Sequence, residues 1–380
     1  MARIARIVAP GYRPRTTRDI GVPVSYVPAG RRSFVAFVVF HKLLLVWLPA
    51  LLLRYRPDVV YSRGLFHSFL VHLICRAFRT PYVAEINSIV DEELAIRGAG
   101  RCTVGLVYLL DRWNLRWASG FVCVTEGLAA ELLRRGTKPE RVFVIHNGAA
   151  VELFTPGDRR EARRQLGLPE EALVIGFVGT LVAWQGLDLL VAAAGRLKSY
   201  GRPWQVLIVG DGQMREPLAA QIVHQGLQEH VRLLPAVPHE EVPGLMRALD
   251  MMVVPIHDPR KLRYGLSVLK FWEALAVGLP VLVPQEAGLS AVLRELDWPG
   301  EFAAGPRGTS SIGAGPQCSS SIGAGDAEAL AEAIVRTAGR LDDCRSRAGE
   351  IHDVIRREHS WAAVAKRTEE VLERLLRPRT

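Results

Sequence analysis

The chain has 380 residues, 49% of them hydrophobic and 23% charged, which excludes a disordered or fibrous protein and is enough for two to three domains at about 150 residues each. Its net charge of +9 is uneven: residues 1–155 hold 21 Lys/Arg against 11 Asp/Glu, while residues 156–380 hold 27 against 28, so an anionic partner belongs with the N-terminal portion. Cys75, Cys102, Cys123, Cys318 and Cys344 form no C-x-x-C pair, which argues against a disulfide framework or a zinc site and for a reducing compartment; the first 30 residues show no apolar core of a signal peptide.

In chain order, residues 3–9 and 22–28 read as strands. Arg31 and Arg32 then precede an apolar run over 34–53, interrupted by His41, Lys42 and Pro49. Three readings stay open for it: a helix buried on all sides, a helix lying in a membrane interface, and a spanning helix, which the mid-run polar pair and the proline disfavour. Strands are expected at 58–62, 81–85, 120–124 and 141–145, with a helix ending near 78, and Pro156, Gly157 and Asp158 suit a linker. Beyond 170, strands at 173–179, 204–209, 231–234, 251–255 and 280–284 alternate with helices over 187–200, to about 225, after His239, and over 267–277. This alternation predicts an α/β chain of two doubly wound parallel-sheet domains. Residues 310–315 return as 320–325, a Gly- and Ser-rich duplication read as a flexible surface insertion.

Chemistry concentrates in the second half. Gly179 and Thr180 follow one strand, Gly210, Asp211 and Gly212 follow another, and Gly265, Leu266 and Ser267 lead into the helix carrying Lys270 and Glu273. All lie where strand ends meet helix starts, the position at which open α/β sheets bind nucleotides, with helix amides facing phosphate. Together with Asn147, Gly148, Phe154 and Pro156, and with Glu273, Ala274, Leu275, Ala276, Val277, Gly278, Leu279, Pro280 and Val281 in register with E-A-M-A-x-G-x-P-V, the pattern resembles the family 4 glycosyltransferases of the GT-B fold. The likeness is specific over residues 140–285 and looser elsewhere.

The resemblance implies two Rossmann-like domains facing a cleft: residues 1–155 on the acceptor side, 156–357 binding a nucleotide sugar, and a final helix over 358–380 packing back on the first. It implies a retaining transferase acting on a glycan or polyprenyl-linked acceptor in cell-surface polysaccharide synthesis. No cofactor and no metal are expected: the nucleotide sugar is a substrate, and the chain contains no Asp-x-Asp motif. Glu273 matches the glutamate that hydrogen-bonds the donor ribose; the alternative is a surface Glu paired with Lys270. Lys270, electrostatically unfavourable in a first helical turn, is expected on the diphosphate. The pattern also has gaps. The first glutamate of the family pair falls at Gly265, and the two diphosphate-binding basic residues fall near Thr180 and Gln185. The stretch instead resembles the variant G-x-S-P-x-K-x-x-E of polysaccharide-assembly members, with Lys270 supplying the charge and Arg263 or Lys261 assisting.

On the acceptor side, Tyr61, Ser62 and Arg63, and then Glu85, Asn87 and Glu93, resemble the Y-x-R and E-x-N…E elements of the same branch. Asn87, with Lys270, is the catalytic candidate, standing where relatives carry a histidine near the reacting sugar. Arg63, Glu85 and Glu93 complete the acceptor set; the alternative for each is an exposed loop residue. The family's opening strand, glycine loop and helix have no counterpart before residue 3, which predicts a truncated start and opens a second reading, a degenerate GT-B protein that binds nucleotide sugar or a partner without turnover. The basic N-terminal portion is expected on an anionic membrane surface, at the inner face of the plasma membrane in the cytoplasm. Nucleic acid is not expected as a partner, because the basic residues are dispersed without an aromatic platform.

Overall fold

A computed structural model describes residues 7–10, 24–27, 34–63, 68–96, 98–256, 262–284, 287–289, 321–322 and 327–377. The chain divides into two units, residues 1–145 with 366–380, and residues 146–365. Residues 146–155, assigned to the N-terminal domain from sequence, pack instead with the second unit: Ala149 N–H donates to the His359 carbonyl at 2.8 Å and Ala149 bridges Ser360. The basis is Gly148, where an added Cβ would stand 2.5 Å from the His359 carbonyl oxygen.

In the first unit, β1 (Ile7–Pro10) and β2 (Val24–Val27) form a parallel pair, followed by helix α1 (Phe34–Tyr55). A four-stranded parallel sheet follows in the order β3 (Val60–Arg63), β4 (Tyr82–Ile86), β5 (Gly120–Cys123), β6 (Val142–Val144). The one N-terminal sheet expected from sequence is therefore two sheets among the described residues. Helices α2 (Ser68–Ala77), α3 (Val90–Ile96), α4 (Arg101–Trp117) and α5 (Glu126–Arg134) connect the strands, and Thr125 caps α5 by accepting from Leu128 N–H at 3.2 Å. Of α1, Leu44, Leu48 and Leu52 are buried in a single i, i+4, i+8 stripe, while Leu45, Val46, Trp47 and Leu53 stay exposed. That overturns the fully buried reading, and no helix among the described residues is long and apolar enough to cross a membrane.

Beneath β4 lies a polar cluster. Arg135 binds Asp91 at 2.9 Å and Glu131 at 2.7 Å, and the His72 ring stacks on Tyr82 while its Nδ1 shares a 3.1 Å hydrogen bond with Asn114. A small cavity of about 40 Å³ opens there, lined by Asp111, Asn114 and Arg135 among others. Burial, reinforced by Asp91, pushes the Asp111 carboxyl up to about 6.

The second unit starts with α6 (Arg159–Leu166), whose N-cap Asp158 accepts from Arg160 N–H at 2.8 Å. Its sheet is parallel throughout, in the order β12, β11, β10, β7, β8, β9. These strands are β7 (Leu173–Val178), β8 (Trp204–Val209), β9 (Val231–Leu234), β10 (Met251–Val253), β11 (Val281–Pro284) and β12 (Ser321–Ile322). Ser321 and Ile322 belong to the duplicated stretch read as an insertion; they pair with Val283 and Pro284, and the rest of the duplication lies outside the described residues. Between the strands run α7 (Leu187–Arg196), α8 (Arg215–His224), α9 (Val242–Ala248) and α10 (Leu269–Ala276); α11 (Ala327–Ala338), α12 (Leu341–Ser346), α13 (Ala348–Glu358) and α14 (Trp361–Leu376) close the chain. From Lys366 onward α14 belongs with the first unit, where Arg374 lies 5.5 Å from the Phe143 ring centre.

Asp250, just before β10, ties this unit together. Its carboxylate takes Arg163 at 2.5 Å, Arg345 at 2.6 Å, Arg159 at 2.9 Å and the Val174 N–H at 2.8 Å, with only 2% of its side chain exposed. Cys75, Cys102 and Cys123 are free thiols, and Cys344 is disulfide-bonded, a cross-link that the scattered spacing of the cysteines did not point to.

Candidate functional site

The strand order places β7 between β10 and β8, so the connections after β7 and β10 leave the sheet on diverging paths. Such a switch point leaves a crevice beyond the strands' carboxyl ends. Val174, Ile175 and Phe177 of β7 are fully buried, and the chain leaves the strand at Gly179. Gly179 N–H donates to the Val209 carbonyl at 3.0 Å, Leu181 N–H to the Asp211 carbonyl at 2.9 Å, and Met214 N–H to the Leu181 carbonyl at 3.0 Å. The two glycine turns thus lie backbone against backbone. A Cβ on Gly210 (φ 148°) would run into the Gly179 carbonyl oxygen, so only glycine permits the approach.

Lys270 enters this crevice from the first turn of α10. Its ammonium lies 3.8 Å from the centre of the Phe177 ring and 3.2 Å from Gln185 Oε1, to which it donates. A Cβ on Gly179 would stand 2.8 Å from that Nζ, so the glycine leaves the room the ammonium occupies. Burial lowers the Lys270 pKa to about 7, against a smaller upward pull from Glu273. Glu273, one turn on, has a 13% exposed side chain 3.8 Å from His239 Nε2, and the His239 ring lies 5.3 Å from Phe154. Burial raises the Glu273 pKa, and His239 and Lys270 pull it back.

The other expected donor residues are placed as follows. Thr180 is exposed, and Asp211 turns back on its own loop, Oδ1 accepting from Gly212 N–H at 2.8 Å. Helix α10 covers Leu269–Ala276 rather than 267–277, with Val268 and not Ser267 at its N-cap, and Asn147 Nδ2 donates to Ser267 Oγ at 2.7 Å. Gly265 has a left-handed backbone (φ 78°), and Leu266 is buried with its N–H on the Ala287 carbonyl at 2.7 Å. The missing family glutamate therefore has a local reason: the turn at 265 selects glycine. Arg263 is exposed with its guanidinium 5.2 Å from the Tyr264 ring centre, and Lys261 lies outside the described residues. Gln185 was read only as a lost charge; it is buried and holds Lys270, a relation between residues 85 apart that no local pattern encodes.

In the first unit, Glu85 uses both carboxylate oxygens. Tyr61 OH donates to Oε2 at 2.9 Å and Asn87 Nδ2 to Oε1 at 2.7 Å. Register supplies half of this, since Tyr61 faces Val83 and Arg63 faces Glu85 across β3 and β4. Burial and the Glu85 charge raise the Tyr61 pKa, keeping the phenol a donor. Arg63 is exposed at the end of β3, and Glu93 is half-buried on α3. Tyr61 was missing from the candidate set, although its two-residue spacing from Arg63 marked it.

These features define a two-unit, doubly wound α/β protein with a candidate ligand site at the switch point of its second unit. A family model of group 1 glycosyl transferases matches residues 158–305, and one of the glycosyl transferase 4-like domain matches residues 4–148. The chain belongs to the family 4 glycosyltransferases of the GT-B fold and is a glycosyltransferase. It is 29% identical over 301 residues to D-inositol 3-phosphate glycosyltransferase 1 of Catenulispora acidiphila, covering 76% of this chain and 71% of that protein. It is 28% identical over 296 residues to the 2-deoxystreptamine glucosyltransferase of Streptomyces kanamyceticus, covering 76% and 72%. Among solved structures, sucrose-phosphate synthase from Thermosynechococcus elongatus superposes with TM-score 0.71 at 18% identity over 97% of this chain and 88% of the other. Anabaena HepE in complex with UDP superposes with TM-score 0.70 at 18% identity over 93% and 86%.

Proposed function

We propose that the protein transfers a sugar from a nucleotide-sugar donor, with retention at the anomeric carbon, to a glycan or polyprenyl-linked glycan in cell-surface polysaccharide synthesis. The observation that carries this reading is the convergence of the Lys270 ammonium, the Gly179 turn and the Glu273 carboxylate at the switch point of the second sheet. The HepE complexes with UDP and UDP-glucose support a donor of that chemistry.

A departing nucleoside diphosphate gains one negative charge beyond the two that the donor already carries, and that charge must be held while oxocarbenium-like charge develops on the sugar. Lys270 suits the first task. It is a half-buried ammonium whose hydrogen-bond partner is a neutral amide, so a phosphate oxygen would gain a charge-assisted bond in a site shielded from much of the solvent. Glu273 suits the vicinal hydroxyls of a ribose, which an acceptor-only carboxylate can take as a pair. In the first unit Glu85 fixes the Asn87 amide, leaving Asn87 Oδ1 to accept from a sugar hydroxyl. Asn87 cannot exchange a proton at neutral pH, so its part is orientation.

Incubation with a panel of nucleotide sugars and lipid-linked glycans, with the product anomer assigned by NMR, tests the reading. A product that keeps the donor's anomeric configuration is expected; an inverted product would contradict retention, and transfer only to a non-glycan acceptor would contradict the acceptor class.

A further inference from the structure

Lys270 and Glu273 stand three residues apart on α10, the spacing at which a cation and a carboxylate on one helix ordinarily meet. Helical side chains lean toward the N-terminus, so Glu273 reaches back over the turn that carries Lys270. Yet the two do not pair. Among the described residues the ammonium makes one hydrogen bond, to Gln185 Oε1 at 3.2 Å, with the Phe177 ring centre 3.8 Å away. Glu273 lies instead 3.8 Å from His239 Nε2.

The residue that draws the cation off is held firmly by the fold. Gln185 closes a short 3-10 turn over Ala183–Gln185, its N–H donating to the Val182 carbonyl at 3.0 Å. Gly186 follows with a left-handed backbone (φ 71°) and caps α7, whose Leu187 and Leu190 are buried in the core. Gln185 itself is 5% exposed. A buried amide oxygen without a donor costs stability, so the bond to Lys270 satisfies Gln185. It does so without neutralising the cation. An ammonium has three N–H donors; the amide takes one, and the others remain for an anion.

We propose that Gln185 is a positioning residue of the donor site: its amide oxygen draws the Lys270 ammonium away from Glu273, so that cation and carboxylate meet the ligand as two separate contacts instead of neutralising each other. The proposal rests on the nucleotide-sugar reading of this crevice and adds a residue that acts through Lys270. Among the described residues the charge acting on Lys270 is that of Glu273, which itself faces His239, while β7 and the turn after it contribute the uncharged Phe177 and Gln185. Removing the amide therefore leaves Glu273 as the partner within reach. With Gln185 in place the Lys270 pKa is lowered to about 7. Pairing with Glu273 would raise it, and the lysine would be charged before any ligand arrives.

Calorimetric titration of the full chain with UDP, GDP and ADP, in buffers of differing ionisation heat, tests it on whichever nucleotide binds. The native chain should take up about 0.9 proton per nucleotide at pH 8. Gln185→Met, which keeps the length of the side chain, should take up less than about 0.3 and bind about tenfold more weakly. Removing the competing carboxylate should undo the loss: with Glu273→Gln already present, Gln185→Met should cost less than about twofold. Gln185→Glu, which keeps shape and polarity, should also lose proton uptake, because its carboxylate pairs with Lys270 directly. A glutamine that only fills space gives another pattern. Gln185→Met would then weaken binding equally in both backgrounds and keep full proton uptake, since an ammonium stripped of its acceptor is harder to charge. That pattern, native affinity in Gln185→Met, or full uptake in Gln185→Glu would each overturn the proposal. A native chain that binds none of the nucleotides would overturn the nucleotide-sugar reading, and the proposal with it.

Discussion

Lys270→Met should abolish the pH dependence of nucleoside diphosphate binding. In the free protein burial holds the Lys270 pKa at about 7, so the side chain is half-charged at neutrality and largely neutral at pH 8. A diphosphate beside the ammonium should return it toward its ordinary value of about 10.4, because the charged form then has a partner. Binding at pH 8 would therefore take up about 0.9 proton per nucleotide, and apparent affinity would fall about 100-fold, or about 2.7 kcal/mol, between pH 6 and pH 9. Titration calorimetry in buffers of differing ionisation heat reads both quantities. The Met variant should bind more weakly at pH 6, with almost no slope due to this residue. It should also melt higher near neutral pH, since a folded-state lysine pKa below the unfolded value opposes folding until pH rises through the unfolded value. A wild-type protein without proton uptake, or a Met variant with the wild-type slope, would refute the assignment.

Three further outcomes follow from the same geometry. Gly265→Glu, which restores the family's missing carboxylate, should lower donor affinity and cost about 1 kcal/mol or more, because residue 265 sits at φ 78°; melting and calorimetry check both. Asp250→Ala leaves Arg163 buried without its carboxylate and should cost about 3–5 kcal/mol in chemical denaturation. Asp111→Asn should stabilise the protein above pH 6 and change little near pH 4. The raised carboxyl contributes stability only while protonated and loses it as pH rises through about 6; the gain at pH 8, read from denaturation midpoints, should be about 1–3 kcal/mol.

How far the site was legible depends on the range of each contact. The glycine turns at 179 and 210 were readable because a strand, a turn and a helix start are local patterns, and their place at the switch point follows from strand order. Lys270 was readable as an anomaly, a cation in a first helical turn. Its lodging between Phe177 and Gln185 was not, because both come from elements some 90 residues upstream. Gly265 looked like a loss and is a backbone requirement, visible only in its φ. Ser267 was read as the start of a helix that in fact opens at Leu269, and its hydroxyl accepts instead from Asn147 across 120 residues. The run over 34–53 resisted assignment for the opposite reason: with nearly every position apolar, periodicity could not say which stripe is buried, and only tertiary packing singles out Leu44, Leu48 and Leu52.

The central claim is that the switch-point site of the second unit holds the nucleotide sugar and bears the charge of its departure. Its most direct test is nucleotide release from a donor panel by the wild-type chain, compared with Lys270→Met and with Glu273→Gln. The account predicts release by the wild type, a fall in kcat of about 10²-fold or more for Lys270→Met, as for loss of a group that stabilises developing charge, and for Glu273→Gln a rise in KM of about tenfold from a weakened ribose contact. Wild-type release that both variants match would contradict it.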